Sequence, residues 1–429
     1  MTDTGVARRQ SPAFLFLYAL AWAGSAIAYV PFLTIWLPGR MTQLSGAADV
    51  QMLGFATFFG AIAASVGGVA FGWLSDRTRN RRGWVLTGLV LSLSLLLLVP
   101  LAPTVGTLVG FIILWQLALN MMLGPLAAWA GDVVPDAQKG LLGGLLAFSP
   151  ALGAWSGALV TWPGLVPGDG RLIVIALLVA GAVLPVLLFG RPRPFPELAA
   201  PPERAADTRP ERPDGRAIRM WLARLLVQIA EAALFAYLYF WFRSIDPGMH
   251  DHEKARIFGL ALSLAIPIAL VGGRWADRHD RPFLPLVVSA AVSAAGMIGM
   301  ALATGIGMAK ASYLVFGTAT TVFLSLHASQ TLRILPRSDR RGRDLGIFNL
   351  TNTMPSLIMP WLTISLVPGF GFDALFLLLA GLTTIAVLLL ATMPRRADPA
   401  LNAAPDPVRL LNTNGQAVGD NPPCPPKAK

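Results

Sequence analysis

The sequence predicts an all-α polytopic membrane protein, with twelve transmembrane helices in two six-helix parallel repeats. Three observations carry that expectation. The first is composition. Of 429 residues, 55% are hydrophobic and only 13% are charged, about half the charge of an ordinary soluble domain, and mean hydropathy is +0.60. Such a chain has too little polar surface to face water on all sides, so lipid must cover much of it. The second is the length of the apolar runs. The third is a pair of loop motifs that recurs at one offset.

Runs of spanning length fall at 12–37, 50–74, 83–102, 105–130, 139–162, 170–190, 219–242, 254–275, 283–303, 309–332, 343–366 and 371–393. A helix needs roughly 20 apolar residues to cross the bilayer core. Helix is the form these runs must take, because backbone polar groups find no partner in hydrocarbon. Barrel strands would be about ten residues long and strictly alternating, and these runs are neither. The first run follows Arg8 and Arg9 and contains Ala26-Ile27-Ala28, which resembles a signal-peptide cleavage site. It continues to Leu37, however, so it reads as a retained first helix.

Charge sets the expected orientation. The N-terminus, the even-to-odd loops and the C-terminal tail hold 27 of the 34 basic residues. The opposite loops hold six, namely Arg40, Arg171, Arg243, Lys254, Arg256 and Lys310, and Arg224 lies inside the seventh run. By the positive-inside rule the basic face, with both termini, is cytoplasmic. The net charge of +11 is therefore a topology signal, and no nucleic-acid partner is expected.

The repeat divides the chain. Gly72-Trp73-Leu74-Ser75-Asp76-Arg77 follows the second run and Gly273-Arg274-Trp275-Ala276-Asp277-Arg278 the eighth, an offset of 201. Val134-Pro135 with Lys139-Gly140 and Leu335-Pro336 with Arg341-Gly342 recur at offsets of 201 and 202. Two motifs at one spacing, on one face, imply parallel six-helix repeats. The domains are then 1–190, a Pro- and Arg-rich cytoplasmic linker 191–218, a second half 219–394, and a tail 395–429 that reads as disordered.

Polar side chains deep in a membrane usually face the bundle interior or a wet cavity. Hydroxyls aside, they fall on few runs here: Gln116 and Asn120 on the fourth, Arg224, Gln228 and Glu231 on the seventh, His327 and Gln330 on the tenth, and Asn349 and Asn352 on the eleventh. Spacings of three, four and seven put each set on one helical face. Trp22, Ser25 and Tyr29 form a similar stripe on the first run. Glu231 is the one acid near a helix centre. Desolvation there favours the protonated form and makes it a candidate proton carrier. Arg224 lies about 10 Å away along the axis, within reach only through Gln228 or water.

At this point the residues resemble the major facilitator superfamily, across the whole chain. The most specific element is Gly72-Trp73-Leu74-Ser75-Asp76-Arg77 with the basic cluster Arg79, Arg81 and Arg82. A second glycine usual in that signature is Arg79 here. The form Asp76 to Gly83, and Leu345-Gly346-Ile347-Phe348-Asn349 before Pro355, are similar to glycoside–pentoside–hexuronide and sucrose-type symporters. The membrane-embedded aspartates of melibiose-type carriers have no counterpart in the second and fourth runs. Pro150, Gly153 and Gly157 resemble part of the proline–glycine motif of drug antiporters, or simply let helices pack closely.

The resemblance implies that the first, fourth, seventh and tenth helices line a central cavity. The expected site there is Glu231, Gln228, Arg224, Gln116, Asn120, Trp22, Tyr29, His327, Asn349 and Asn352. It also implies gating groups at the basic face: Asp76, Arg77, Arg81, Asp132, Asp277, Arg278 and Asp344. Asp76 would dock on the N-terminus of the eleventh helix, and Arg77 or Arg81 would pair with Asp132.

The expected function is secondary transport of a small organic solute by alternating access. Sugar-like uptake comes first and export of a hydrophobic or metabolic product second, with protons a possible coupling ion. A non-transporting assembly factor on the same fold is the alternative of another class. With one cysteine, Cys424, and four scattered histidines, no metal site is expected. No cofactor and no catalytic set are expected either, and the protein reads as a monomer in a bacterial cytoplasmic (inner) membrane.

Overall fold

The computed structural model describes residues 9–166, 168–195, 215–279, 281, 283–334 and 341–393. Within its helices it leaves out the side chains of 136, 137, 139, 140, 234, 277, 328, 329, 331–334, 341–350, 352 and 353. Every regular element among the described residues is helical. The helices of the first half are α1 (Pro12–Pro31), α2 (Leu37–Ser45), α3 (Asp49–Thr78), α4 (Arg81–Leu98), α5 (Val105–Val133), α6 (Asp136–Leu146), α7 (Ser149–Val160) and α8 (Gly170–Phe189). Those of the second half are α9 (Gly215–Ile245), α10 (Asp251–Arg278), α11 (Leu284–Ala301), α12 (Ile306–Ile334) and α13 (Arg341–Ala391).

Local chemistry explains where these helices start and stop. Ser11 caps α1 by accepting from Phe14 N at 3.1 Å, and Pro12 takes the first helical position, where no N–H is needed. Thr104 and Thr107 form a reciprocal capping box at the start of α5. Asn80 caps α4 through Gly83 N at 2.9 Å. Between α1 and α2, Pro31 and Pro38 bracket a π-helical turn, Phe32–Trp36. Lost i→i−4 bonding at prolines is the usual cause of such a turn.

Two apparently continuous stretches are each two passes. Pro12–Thr78 runs 67 residues, which at 1.5 Å per residue is about 100 Å, some three times the bilayer core. It turns back at Gly46, whose φ of 54° is open to glycine. The stretch Arg341–Ala391 breaks at Gly371 (φ 76°, ψ 179°). By length and composition eight described stretches can cross a membrane, or nine with α9, which bends by 47° between Ala233 and Phe235. With the two broken stretches taken as two passes each, and α12 added, twelve passes stand among the described residues.

The core is organised in two bodies of packing. Phe32, Trp115, Leu119, Met122 and Val183 belong to one, built chiefly from α1 to α8. Ala233, Trp241, Tyr313, Phe316 and Phe376 belong to the other, from α9 to α13. The same device appears in both. A Cβ on Gly88 of α4 would lie 2.3 Å from the Met122 backbone of α5, and one on Gly296 of α11 would lie 2.7 Å from the Phe316 backbone of α12. In each half the third and fourth passes are thus held backbone to backbone, as small residues permit in a membrane. Between the bodies, α7 packs on α10 and α3 on α13.

Candidate functional site

A cavity of about 350 Å3 lies between these two bodies. Its walls come from α1 and the π-turn (Tyr29, Leu33), α3 (Thr57, Gly60), α5 (Gln116), α9 (Gln228, Glu231, Phe235, Tyr237) and α13 (Ser356, Met359). That volume is at the small end of ligand sites. Glu231 is the one carboxylate among the lining residues, and no basic side chain is among them. Phe235 stands one helical turn beyond Glu231, and its ring lies 6.0 Å from that of Tyr29 and 6.0 Å from that of Phe258.

The structure separates the sequence-predicted residues into three groups. Tyr29, Gln116, Gln228 and Glu231 are cavity walls. Trp22, Asn120, Arg224 and His327 are not among the lining residues. Trp22 stacks on Tyr18 with centroids 6.5 Å apart. Asn120 donates to Gln116 O at 2.9 Å and packs against Gly67, where a Cβ would meet its Cβ at 3.2 Å. Arg224 turns toward the core of its own half. Its Nε donates to Gln228 Oε1 at 3.2 Å and to Thr351 Oγ1 at 3.1 Å, and its Nη1 lies 3.5 Å from His327 Nδ1. His327 is fully buried, with Nε2 2.9 Å from Met220 O. A carbonyl accepts, so Nε2 carries the proton and Nδ1 is left as acceptor for Arg224. The side chains of Asn349 and Asn352 lie outside the described residues.

At the basic end, the ion pairs among the described side chains stay within the first half. Arg81 bridges Asp76 and Asp132, the latter at 2.9 Å, and also donates to Ser75 Oγ at 2.5 Å. It is Arg81, not Arg77, that reaches Asp132; Arg77 lies over the Trp73 ring at 5.7 Å. Asp76, 62% exposed, has Arg81 of its own half as its ion-pair partner. The side chains at the start of the eleventh pass, the expected dock of Asp76, lie outside the described residues. Arg82 meets Gly190 O and the Trp129 ring. Arg278 is exposed at the end of α10, and the side chains of Asp277 and Asp344 lie outside the described residues.

At the opposite end, ion pairs cross between the halves, and sequence reasoning missed them. Arg243 of α9 donates to Asp49 Oδ2 at 2.7 Å and to Thr42 Oγ1 at 2.7 Å, with Asp49 only 5% exposed. Arg171 of α8 meets Asp251 of α10 at 3.0 Å, and Lys254 shares that carboxylate at 3.4 Å. The acids belong to opposite halves in the two pairs. Trp155 of α7 donates to Ser263 Oγ of α10 at 2.9 Å, and Gly157 packs by Ala255. The one available signal was that three of the six basic residues on this face, Arg171, Arg243 and Lys254, sit near Asp49 or Asp251 once the helices are stacked.

Twelve helical passes, two packed bodies and a cavity on the seam with a carboxylate in its wall are the architecture of a membrane transporter of the facilitator type. Comparison with known proteins makes the family definite. The model of the Major Facilitator Superfamily matches residues 13–325 and again 248–422, and the chain belongs to that family. Among curated proteins nothing matches. Among solved structures, the chain is similar to a bacterial homologue of the human lysosomal transporter Spinster. In its inward-facing, unoccupied conformation the identity is 13%, with 88% of this chain and 93% of that chain covered, at a TM-score of 0.62. In its inward-facing, occupied conformation the figures are 13%, 88% and 95%, at 0.66. At such identity the likeness is one of fold. The protein is a membrane transporter and not an enzyme.

Proposed function

We propose that this protein is a secondary transporter that carries a small organic solute through the central cavity by alternating access, coupled to protons through Glu231. The observation that carries this reading is the cavity on the seam between the halves, closed at one end by ion pairs that join them. Such contacts must break before the other end can close, so each state offers the cavity to one side. The two halves, 1–190 and 219–394, move as the rocking bodies. Both termini lie in the cytoplasm of a bacterial inner membrane, so the arrangement described is the inward-facing one. Asp76, Asp277 and Asp344 then serve the opposite arrangement, in which the basic end is shut.

Of the expected cargoes, an apolar solute suits these walls better than a sugar. Beside the polar groups of Gln116, Gln228, Glu231 and Ser356, the larger share of the wall, with Leu33, Leu37, Ile112, Phe235 and Met359, offers a hydroxyl-rich molecule no partner, and each unpaired buried hydroxyl costs about 1–3 kcal/mol.

The test needs no known solute. In a Cys424→Ser background, Gln228→Cys in membrane vesicles should react with an impermeant maleimide from either side. Adding Asp49→Cys and Arg243→Cys and oxidising the pair should confine labelling to the cytoplasmic side, and reduction should restore both. Labelling from one side only, whatever the state of that pair, would overturn alternating access here.

A further inference from the structure

We propose that the solute is an organic cation with an apolar body, whose ammonium group sits between the Glu231 carboxylate and the rings of Tyr29 and Phe235. This deepens the transporter reading and rests on it. Four observations lead there.

First, Glu231 faces the cavity as its one charged wall residue, and the charge that acts on it from its own helix is that of Arg224, two turns back and outside the lining. The nearest cation on its helix, Arg224, is drawn into a different cluster of Gln228, Thr351 and His327. When Glu231 is ionised, the wall of the cavity carries a negative charge and no positive one, which attracts cations and repels anions.

Second, the surfaces beside that charge are aromatic faces. Phe235 lies at i+4 from Glu231, on the same side of α9, and Tyr29 approaches it from the other half at 6.0 Å. Phe258 backs Phe235 at the same distance. A carboxylate and two rings in the wall of one cavity match an alkylated ammonium, whose charge is spread over apolar carbon and is favoured by ring faces.

Third, the remainder of the wall suits an apolar body. Leu33, Ile112 and Met359 supply shape without hydrogen bonds. Part of the polar inventory is already committed: Thr57 Oγ1 donates to its own helix at Leu53 O, 2.9 Å, and Gln228 accepts from Arg224.

Fourth, Tyr237 adds a hydroxyl to the wall. It is 2% exposed, with Thr57 and Thr363 as its polar neighbours and no hydrogen bond of good geometry among the described residues. It can turn its donor to a single oxygen or nitrogen on the solute. One charge, two rings, an apolar sleeve and one donor specify a cationic amphiphile, where a sugar would need partners on every side.

The test uses the purified full-length protein in nanodiscs and a matched pair of probes, 3-(trimethylammonio)phenol and its uncharged carbon isostere 3-tert-butylphenol, with sucrose as a third competitor. Radiolabelled 3-(trimethylammonio)phenol should bind saturably. The isostere should compete at least tenfold more weakly, and sucrose should not compete. Glu231→Gln should weaken the charged probe at least tenfold and the neutral one little. Glu231→Asp, which keeps the charge, should retain measurable binding and so guards against simple misfolding. Phe235→Leu should weaken the charged probe more than the isostere. Equal binding of the two probes, displacement by sucrose, an unchanged Glu231→Gln variant, or no saturable binding would each overturn the assignment. Labelling of Gln228→Cys from both sides would still stand in those cases, so failure of the cation assignment is distinguishable from failure of the transporter reading.

Discussion

The two ends of this molecule use the same charged residue types for different tasks. At the basic end, Arg81 ties Asp76 to Asp132 and Gln10 ties Gln138 to Val133 O, all within the first half, and Gln10 also donates to Arg193 O at the start of the linker. At the opposite end, Asp49 with Arg243 and Arg171 with Asp251 cross from one half to the other. A contact inside a rigid body is present in both closures and cannot favour either. A contact across the seam is made in one closure and lost in the other, so its whole strength enters the equilibrium between them. Position relative to the moving surface, rather than the strength of the pair, decides which charges act as a gate.

The largest expected effect follows from the buried member of the crossing pairs. Arg243→Ala leaves the buried Asp49 charge with only the Thr42 hydroxyl and Val50 N as donors among the described residues. Breaking a fully buried pair costs about 3–5 kcal/mol, and this pair, with Arg243 a third exposed, should lose somewhat less. Labelling of Gln228→Cys should shift strongly toward the side of the opposite end. The exchanged pair Asp49→Arg with Arg243→Asp should recover much of the original ratio. An unmoved ratio would show that this pair does not hold the seam.

Arg171→Ala should act in the same direction but less, by about 1 kcal/mol, since Asp251 keeps Lys254 at 3.4 Å. Both members are about a quarter exposed, so this contribution should fall as salt is raised. The same labelling in low and high salt measures it.

Asp132→Asn sharpens the contrast from the other end. It removes one partner of Arg81 inside the first half and should lower thermal stability by about 1 kcal/mol without moving the labelling ratio. A clear change in the ratio would place Arg81 in the gate after all.

The smallest effect concerns Arg79, which closes α3 in the left-handed region at φ 52°, ψ 25°. That is the position at which the superfamily signature has a glycine. Glycine adopts this conformation freely, whereas a side chain costs roughly 1 kcal/mol there. Arg79→Gly should raise the melting temperature slightly and leave the labelling ratio as it was. A fall in melting temperature would mean that the Arg79 side chain contributes more than its backbone strain removes.

Much of the fold was legible because it depends on properties that add up along the chain. Twenty apolar residues span a bilayer whatever their neighbours are, and a recurring Gly-Asp-Arg loop reports duplication without coordinates. Of the expected site, Tyr29, Gln116, Gln228 and Glu231 could be read because buried polarity in a membrane is expensive and seldom idle. Arg224 and His327 carry the same signal yet pack into the second half, because a helical face can turn toward a neighbouring helix as well as toward the seam. Thr57, Tyr237 and Ser356 were passed over since a hydroxyl can return its bond to its own helix, and so gives no warning of where it points.

The sequence by itself determined the membrane class, the two parallel halves, the family resemblance and the single deep acid. Hydropathy, charge and motif spacing are one-dimensional quantities and need no packing to be read. Tertiary structure alone decided which four of the polar residues share a cavity, that Arg81 stays within its half, and that Asp49 and Arg243, 194 residues apart, meet across the seam. Those outcomes depend on how each helix is rotated about its axis and on which end of the molecule is shut. Neither is encoded in any local window, because both are settled only when the two bodies pack against each other.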